Sequence, residues 1–436
     1  MLCFRPVRAR SGGGFMSILD HPADNPTDNP TAAAIPDYPM RRASGCPFDP
    51  PPLLQELQQQ TPLIRVRLWD GSTPWLVTRH ADQRALLGDP RLSADPDSPG
   101  YPRQAASTPS RKHPVPGQGG ISFIAMDDPE HARQRRMVTA SFAIKRIEAL
   151  RPSVQTLVDE LIDAMLAGPN PTDLVQAFAL PLPSLVICRL LGVPYQDHGF
   201  FQRNSSTLLQ LSGSDEERTA ARSALYLYLD DLVGRKLAEP GDDLISHLVE
   251  RIPEGELTRE DVAQMAVLML VAGHETTANM IALGTFALLQ HPEQLDRLRA
   301  VEDHAQLAAA VEELLRYLSI VHTGRRRAVL ADIELGDQRI RAGEGVILAS
   351  DLGNRDPAAF PDPDRLDLTR NARRHTAFGF GVHQCLGQPL ARMELQVVYG
   401  TLYRRIPTLR LAIDPAEVPL KHDGIVYGAY RLPVTW

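Results

Sequence analysis

Positive charge is the first thing this chain is short of. Its 46 Lys and Arg are outnumbered by 53 Asp and Glu, a formal net charge of −7 at pH 7. Nonspecific nucleic-acid binding needs the opposite balance. Cysteine is scarce as well. Cys3, Cys46, Cys188 and Cys385 lie far apart, with no disulfide framework, as expected of a chain kept in the reducing cytoplasm. Aromatic residues make up 6% of a chain that is 43% hydrophobic, so aliphatic side chains must pack most of an ample core. Uninterrupted apolar runs are missing too. The most apolar stretch, 262–289, carries His274, Glu275 and Asn279 at its centre, which argues against a membrane span. Residues 1–16 are basic but have no sustained apolar core, and make a poor signal peptide.

Neither repeat nor linker interrupts residues 39–436, which are read as one domain. Residues 1–38, with a run rich in Pro, Asn, Asp and Thr from Asp20 onward, are expected to be a disordered extension. Gly12-Gly13-Gly14-Phe15 directly precedes Met16, and translation is expected to start at that methionine. A second segment loaded with Pro, Gly and Ser runs from Arg91 to Gly120; loops this long in a compact domain are functional or disordered.

What the chain does have is one cysteine in an unusual setting. Phe378-Gly379-Phe380-Gly381-Val382-His383-Gln384-Cys385-Leu386-Gly387 runs into the helical Gln388-Pro389-Leu390-Ala391-Arg392-Met393-Glu394. Glycines permit tight turns and let a flat ligand approach the backbone. A cysteine at the mouth of a helix meets the positive end of its dipole and unpaired N–H groups, which favours the thiolate. No second cysteine or histidine stands at zinc spacing. A metal bound here must bring most of its own ligands, as haem iron does.

Four further runs stand elsewhere. The first is Ala272-Gly273-His274-Glu275-Thr276-Thr277, where Val262, Met265, Ala266, Met269, Ala272, Gly273, Thr276 and Met280 share a helical period. A glycine inside a helix costs ~1 kcal/mol relative to alanine; room for a planar cofactor or dioxygen against the backbone would be a reason for Gly273. Thr276 can open the helix locally through a backbone bond, and Glu275 can link to solvent. The second run, Glu313-Leu314-Leu315-Arg316, puts acid and base on one helix face. In the third, His131-Ala132-Arg133-Gln134-Arg135-Arg136 follows the start signals Asp127-Asp128-Pro129-Glu130. His131 and Arg135, four apart, suit two carboxylates of one ligand. The fourth, Thr323-Gly324-Arg325-Arg326-Arg327, precedes the strand-like Ile333-Glu334-Leu335.

Phe378, Gly381, Cys385 and Gly387, with Ala391 and Glu394 behind them and these four runs in order, resemble the cytochromes P450. The resemblance covers nearly the whole chain, from Cys46 to Trp436, and is most like the soluble actinobacterial branch that tailors secondary metabolites and attacks foreign compounds. It implies a mainly α fold with a small β portion, with haem b between a long central helix and the cysteine loop. Cys385 would be the axial ligand of the iron. Ala272, Gly273, Phe378, Gly379, Gly387 and Ala391 would contact the haem, and His131 and Arg135 its propionates. From the arginine run Arg327 matches best as a further propionate ligand, with Arg325 or Arg326 as substitutes; His383 and, more weakly, His375 are additional candidates. Glu275 and Thr276 match an acid–alcohol pair that relays protons during oxygen activation. Glu313 and Arg316 match a buried structural pair joined by an arginine from a later loop, where Arg365 stands in the corresponding place. The substrate pocket is expected from the Arg91–Gly120 loop, a mobile lid over 195–225, Leu318, Ile320 and Val321, and Ile425 and Val426.

The implied enzyme is a monooxygenase that inserts one atom of O2 into an apolar organic substrate, by hydroxylation or epoxidation. NAD(P)H-derived electrons would come from a separate ferredoxin and its reductase. An acidic ferredoxin would dock on the Cys385 side at Arg133, Arg136 and Arg392. A cytoplasmic monomer without nucleic-acid or membrane partner is expected. Two other readings share these features. A peroxide-dependent or non-oxygenating haem-thiolate enzyme would have less use for Glu275 and Thr276. A non-catalytic binding protein would not need Cys385 together with the propionate clamps.

Overall fold

Helical periodicity prevails along the chain, and the computed structural model, which describes residues 35–110, 112 and 122–436, is mainly helical with small sheets. The helices that position the site are α1 (Glu130–Thr139), α2 (Arg151–Ala167), α3 (Pro181–Leu191), α4 (His198–Leu209), α5 (Asp215–Ala238), α6 (Arg259–Gln290), α7 (His304–Leu318) and α8 (Gln388–Arg405). Beside them lies a five-stranded sheet of β1 (Leu63–Arg65), β2 (Trp75–Val77), β3 (Leu92–Ser93), β4 (Arg325–Val329) and β5 (Gly345–Leu348), in the order β1-β2-β5-β4-β3. Only β2 and β5 run parallel within it.

The expected start at Met16 and most of the expected extension lie outside the described residues, as does part of the Arg91–Gly120 loop. Residues 36–38 depart from that expectation. Arg67 N donates to Pro36 O and Tyr38 N to Arg67 O, and the buried Tyr38 donates its hydroxyl to His322 O at 3.1 Å. Tertiary pairing orders a segment that composition alone marks as loose. Cys188 and Cys385 are free thiols, whereas Cys46 is disulfide-bonded; spacing in sequence does not reveal which cysteines meet in space.

Thr258 starts α6 with a capping box. Its hydroxyl accepts from Asp261 N (3.0 Å), while its own N–H donates to the Asp261 carboxylate (2.9 Å), so two orphan donors are satisfied at once. Beyond the cap the helix is apolar on every side, and such a helix must be buried all round. It packs against α3, α4, α5, α7 and α8. Among the described residues it is the one helix long and apolar enough to cross a membrane; its place in the core accounts for that composition. A Cβ on Gly284 would lie 1.9 Å from the Tyr399 hydroxyl of α8, and that hydroxyl donates to Met280 O at 2.6 Å. The close crossing fixes α6 relative to the helix that follows the cysteine loop.

A buried ion network holds the approach to that loop. Glu313 and Arg316 are fully buried on α7, paired at 2.7 and 2.9 Å. Arg316 also donates to the carbonyls of Asn354 and Pro363. The third member is Arg370, whose Nε lies 3.2 Å from Glu313, and not Arg365. Arg365 is exposed and takes part only through its carbonyl, which accepts from Arg316 and Arg370. The chain turns between the two positions, and only the later arginine points inward.

Candidate active site

The cysteine loop is shaped by two glycines with left-handed backbones, Gly379 (φ 74°) and Gly381 (φ 73°). A Cβ on Gly381 would stand 2.3 Å from Leu87 O, and one on Gly379 would stand 3.0 Å from Arg325 Nε. The first glycine therefore lets the loop lie on the chain after His80–Leu87, and the second lets Arg325 cross it. Cys385 N donates to Phe378 O at 2.8 Å and Gln384 N to Gly381 O at 3.0 Å. Phe378 is clamped by the Arg392 guanidinium, 4.5 Å above its ring. The Cys385 side chain remains accessible, with Gly387 and Ala391 immediately beyond on the first turn of α8.

Although its surface is accessible, the Cys385 thiol is surrounded by protein, and this desolvation pushes it up, against the Gly387 N–H and the charges of Arg325, Arg135 and Arg392, which pull it down. The Gly387 N–H at the helix mouth thus acts toward the thiolate, as the sequence suggested, but against desolvation; a metal at the sulfur would add to that pull, because coordination deprotonates a thiol outright.

Around the loop stand three arginines that no carboxylate meets among the described residues, and a histidine with one ring nitrogen unpartnered. Strand β4 alternates, so Arg325 and Arg327 share one face and Arg326 takes the other. Arg325 donates to Ala377 O at 2.7 Å and to the Ser350 hydroxyl; burial lowers it to about 10. Arg327 donates only to the carbonyl of Arg326 (2.7 Å), and its charge acts on His383. On α1, Arg135 donates to Gln384 O at 2.5 Å. His131 lies with its ring 4.1 Å from that of His383; Asp128 holds its Nδ1 at 2.9 Å, while its buried Nε2 has no partner. Buried unpaired charges are costly, so this donor set suits two carboxylates of one ligand. Haem, with its two propionates and a metal for the sulfur, fits it.

Two of the weaker propionate candidates do not belong to this set. Arg326 points toward Pro102 and Arg103, whose carbonyls it meets at 2.9 and 3.2 Å. His375 Nδ1 accepts from Ala377 N (3.1 Å), leaving Nε2 to bond Glu312 at 3.0 Å. Glu312 is held in turn by Arg392 at 2.6 Å. That pair and the Arg133–Glu130 pair at 2.6 Å also reduce the expected ferredoxin surface. Of its three arginines, Arg136 alone is exposed without an ion pair among the described residues.

On α6, Ala272 is exposed and Val271, Gly273 and Thr276 around it are half-buried, whereas His274, Glu275 and Thr277 are buried. Thr276 donates its hydroxyl to Ala272 O at 2.7 Å, and the helix continues unbroken instead of opening there. Glu275 is buried (4% exposed) rather than solvent-linked. Its Oε2 is held by Lys421 at 3.2 Å and by Asn279 Nδ2 at 3.2 Å. Nothing in the local sequence points to Lys421, which comes from the hairpin near the C-terminus.

Gly273 has a different reason from the expected one. A Cβ there would meet Ile187 Cγ1 of α3 at 2.7 Å, so the glycine lets two helices touch. Gly273→Ala should therefore destabilise the protein: overpacking costs ~1–3 kcal/mol, more than the ~1 kcal/mol gained in helix propensity. Urea denaturation would show a lower midpoint, partly restored by adding Ile187→Val. An unchanged midpoint would contradict this contact.

The pocket candidates divide. Leu318 is fully buried within the main core and is a packing residue. Ile320 and Val321 are half-buried on the turn that follows α7, and Ile320 O accepts from Tyr427 N (2.7 Å). Val426 lines a small cavity with Glu275, Lys421 and Leu209, and Ile425 N donates to Leu209 O at 2.7 Å. The C-terminal hairpin thus joins the lid helix α4 to the carboxylate of α6.

Glu394, in the second turn of α8, is fully enclosed, and burial pushes its carboxyl up to about 8. An ordinary glutamate titrates near ~4.3, so the folded state holds this proton more tightly than the unfolded one. Its contribution to stability should be present at low pH and decline as pH rises toward and through about 8. A Glu394→Gln protein should show a flatter dependence of melting temperature between pH 6 and 9; a parallel curve would exclude Glu394 as its source.

A family model described as Cytochrome P450 matches residues 235–407. Cytochrome P450 GfsF of Streptomyces halstedii is 54% identical over 403 residues, covering 92% of this chain and 96% of its own. Pentalenic acid synthase of Streptomyces avermitilis is 51% identical over 392 residues, covering 90% and 95%. The solved structure of GfsF matches with a TM-score of 0.85 over 92% of this chain and 100% of its own, at 54% identity. The mycinamicin VIII C21 methyl hydroxylase MycCI of Micromonospora griseorubida, bound to mycinamicin VIII, matches with a TM-score of 0.85 at 41% identity, covering 92% and 100%.

Proposed function

Because the chain belongs to the cytochrome P450 family, in its actinobacterial secondary-metabolite and xenobiotic branch, we propose that it is a monooxygenase with Cys385 as haem ligand, acting on a large apolar natural product. The observation that carries this reading is a set of donors gathered round the Cys385 loop: Arg135, Arg325 and Arg327, none of them ion-paired among the described residues, and His131, whose buried Nε2 has no partner. Bound haem supplies the oxygen-activating chemistry, drawing on O2 and on electrons from NAD(P)H by way of a ferredoxin.

The protein's own residues do the rest. Cys385 would supply the sulfur ligand, and Arg135, Arg325, Arg327 and His131 would hold the propionates, with the Arg327 Nη2 and the unpartnered His131 Nε2 turned to that task. Ala272 contributes a side chain small enough to leave the distal side open. Thr276 holds a proton on Oγ1, shared with Ala272 O (2.7 Å); turning away from that carbonyl presents it to the distal side. Glu275, gripped by Lys421 and Asn279, is the group through which a proton taken up from solvent would pass to Thr276: the carboxylate accepts that proton and hands it on, returning to its paired, ionised form. Residues 39–436 are proposed to act as one cytoplasmic domain, monomeric, with an acidic ferredoxin docking near Arg136.

Of the relatives named above, one is a pentalenic acid synthase and another is a C21 methyl hydroxylase with mycinamicin VIII bound. A macrocyclic or polycyclic substrate, hydroxylated or epoxidised, is the proposed counterpart here. Purified protein reduced with dithionite and exposed to carbon monoxide should show the strongly red-shifted Soret band of thiolate ligation. A band at the histidine-haem position, or none, would overturn the assignment.

Thr276→Ala should leave that band in place while oxygen is consumed with less product and more peroxide. General acid catalysis contributes roughly 10²–10⁴-fold, so a product rate lowered by ~10-fold or more is expected from the loss of this donor. Unchanged coupling would favour the peroxide-dependent or non-oxygenating reading instead.

A further inference from the structure

A cavity of about 430 Å³ opens beside the lid, away from the residues given roles above. It is bounded by the turn between β1 and β2, the loop after β3, the α4–α5 connection and the C-terminal hairpin. Its size is that of a small-molecule site. The platform on one side is Trp69, 57% exposed. The indole Nε1 donates to Arg103 O at 3.1 Å, which fixes the ring while leaving much of it uncovered. Tryptophan, with a large apolar ring and a polar N–H, is enriched at binding interfaces.

The walls carry donors with nothing to donate to. Among the described residues, the buried Gln104 Nε2 and both Nε and Nη2 of Arg326 have no partner to donate to, and the buried ring nitrogen Nδ1 of His422 has no partner either. Arg326 is only 6% exposed, and its Nη1 is already used by the carbonyls of Pro102 and Arg103. Each unmet buried donor costs ~1–3 kcal/mol, so the cavity calls for acceptor oxygens. Its charges cancel, Arg218 and Arg326 against Asp215 and Asp423. The two carboxylates are themselves engaged: Asp215 accepts from Ser107 N (2.9 Å) and Arg218 (2.8 Å), and Asp423 from Ser212 and Tyr430 (both 2.5 Å). An uncharged, oxygen-rich ring with one apolar face satisfies these demands together.

We propose that this cavity binds a neutral glycosyl or polyol ring of the substrate, stacked on Trp69 with its oxygens accepting from Arg326 and Gln104. The inference rests on the monooxygenase reading and names the class of substrate that it would take. The occupant is assigned to the substrate because the lid and the hairpin that hold Val426 beside Glu275 also form two of the cavity's walls.

The test uses the holoenzyme with digitoxigenin and its monodigitoxoside, an aglycone and its neutral glycoside. Binding is read twice, from the Soret shift and from Trp69 fluorescence, taken as the difference from Trp69→Phe. The glycoside is expected to bind at least tenfold more tightly and to change Trp69 emission. In both Trp69→Ala and Gln104→Leu its advantage should fall below twofold, with aglycone affinity and the carbon monoxide spectrum unchanged. Equal affinities, an advantage that survives both substitutions, or failure of both compounds to bind would overturn the proposal and leave a water-filled cavity only. A normal thiolate spectrum with no Trp69 response refutes the cavity site alone. A Trp69 response without that spectrum refutes the monooxygenase reading and leaves the ring-binding site standing.

Discussion

Cys385→Ala is expected to yield a folded protein with no thiolate-type Soret band and no monooxygenase product. The reason for expecting it to fold is that the sulfur holds nothing in place. The loop is set by Cys385 N donating to Phe378 O (2.8 Å), by Gln384 N donating to Gly381 O (3.0 Å), and by the two left-handed glycines. Phe378 is fixed by Arg392 and by the main core. None of these contacts uses the side chain of Cys385, which is accessible. Near-native far-UV circular dichroism is therefore expected beside a lost axial ligand. Thiolate donation is what favours O–O cleavage in haem-thiolate enzymes, and no other described cysteine can replace it, since Cys188 is buried elsewhere in the core and Cys46 is buried and disulfide-bonded. Haem retained through the propionate clamps alone would absorb at an ordinary position. Product formation by this variant, or a surviving red-shifted band, would remove Cys385 from the ligand role.

The second large effect concerns stability. Arg316→Met should lower unfolding free energy by ~3–5 kcal/mol, the cost of leaving a buried partner charge without its mate. Glu313 is fully buried, and its other charged contact, Arg370 Nε at 3.2 Å, cannot replace the paired bonds at 2.7 and 2.9 Å. Arg316 also secures the carbonyls of Asn354 and Pro363, so the segment leading to the cysteine loop loosens with it. Against a usual total of ~5–15 kcal/mol, such a loss reaches a third or more of the protein's stability. Urea denaturation followed by circular dichroism would read it, and haem affinity should fall in parallel. The pattern among the other arginines is equally specific. Arg370→Ala should destabilise clearly, whereas Arg365→Ala should stay within ~0.5 kcal/mol as an exposed side chain. Equal effects of the two would restore Arg365 as the third member of the network.

These expectations differ in how much of them can be read along the chain. The cysteine loop, the polar interruption of the apolar helix and the Glu313–Arg316 pair are local patterns. Each consists of residues whose chemistry is odd for its immediate neighbours, and local oddity survives without knowledge of the fold. The capped, all-round apolar α6 is legible for the same reason, since a helix with no polar face can only be a core element.

By itself, then, the sequence determined the mainly helical fold and, through the resemblance its local motifs carry, the cytochrome P450 family, because periodicity and turn chemistry act over a few residues. Only the tertiary structure decided which distant side chains meet them. It put Arg325 beside Arg327 and turned Arg326 away, through the alternation of one strand. It chose Arg370 over Arg365 by the path of a turn, set Ile187 against Gly273 through a helix crossing, and brought Lys421 to Glu275 from a hairpin almost 150 residues further along the chain. Contacts of that kind depend on how elements pack, and no window of the sequence short enough to show a pattern is long enough to contain both partners.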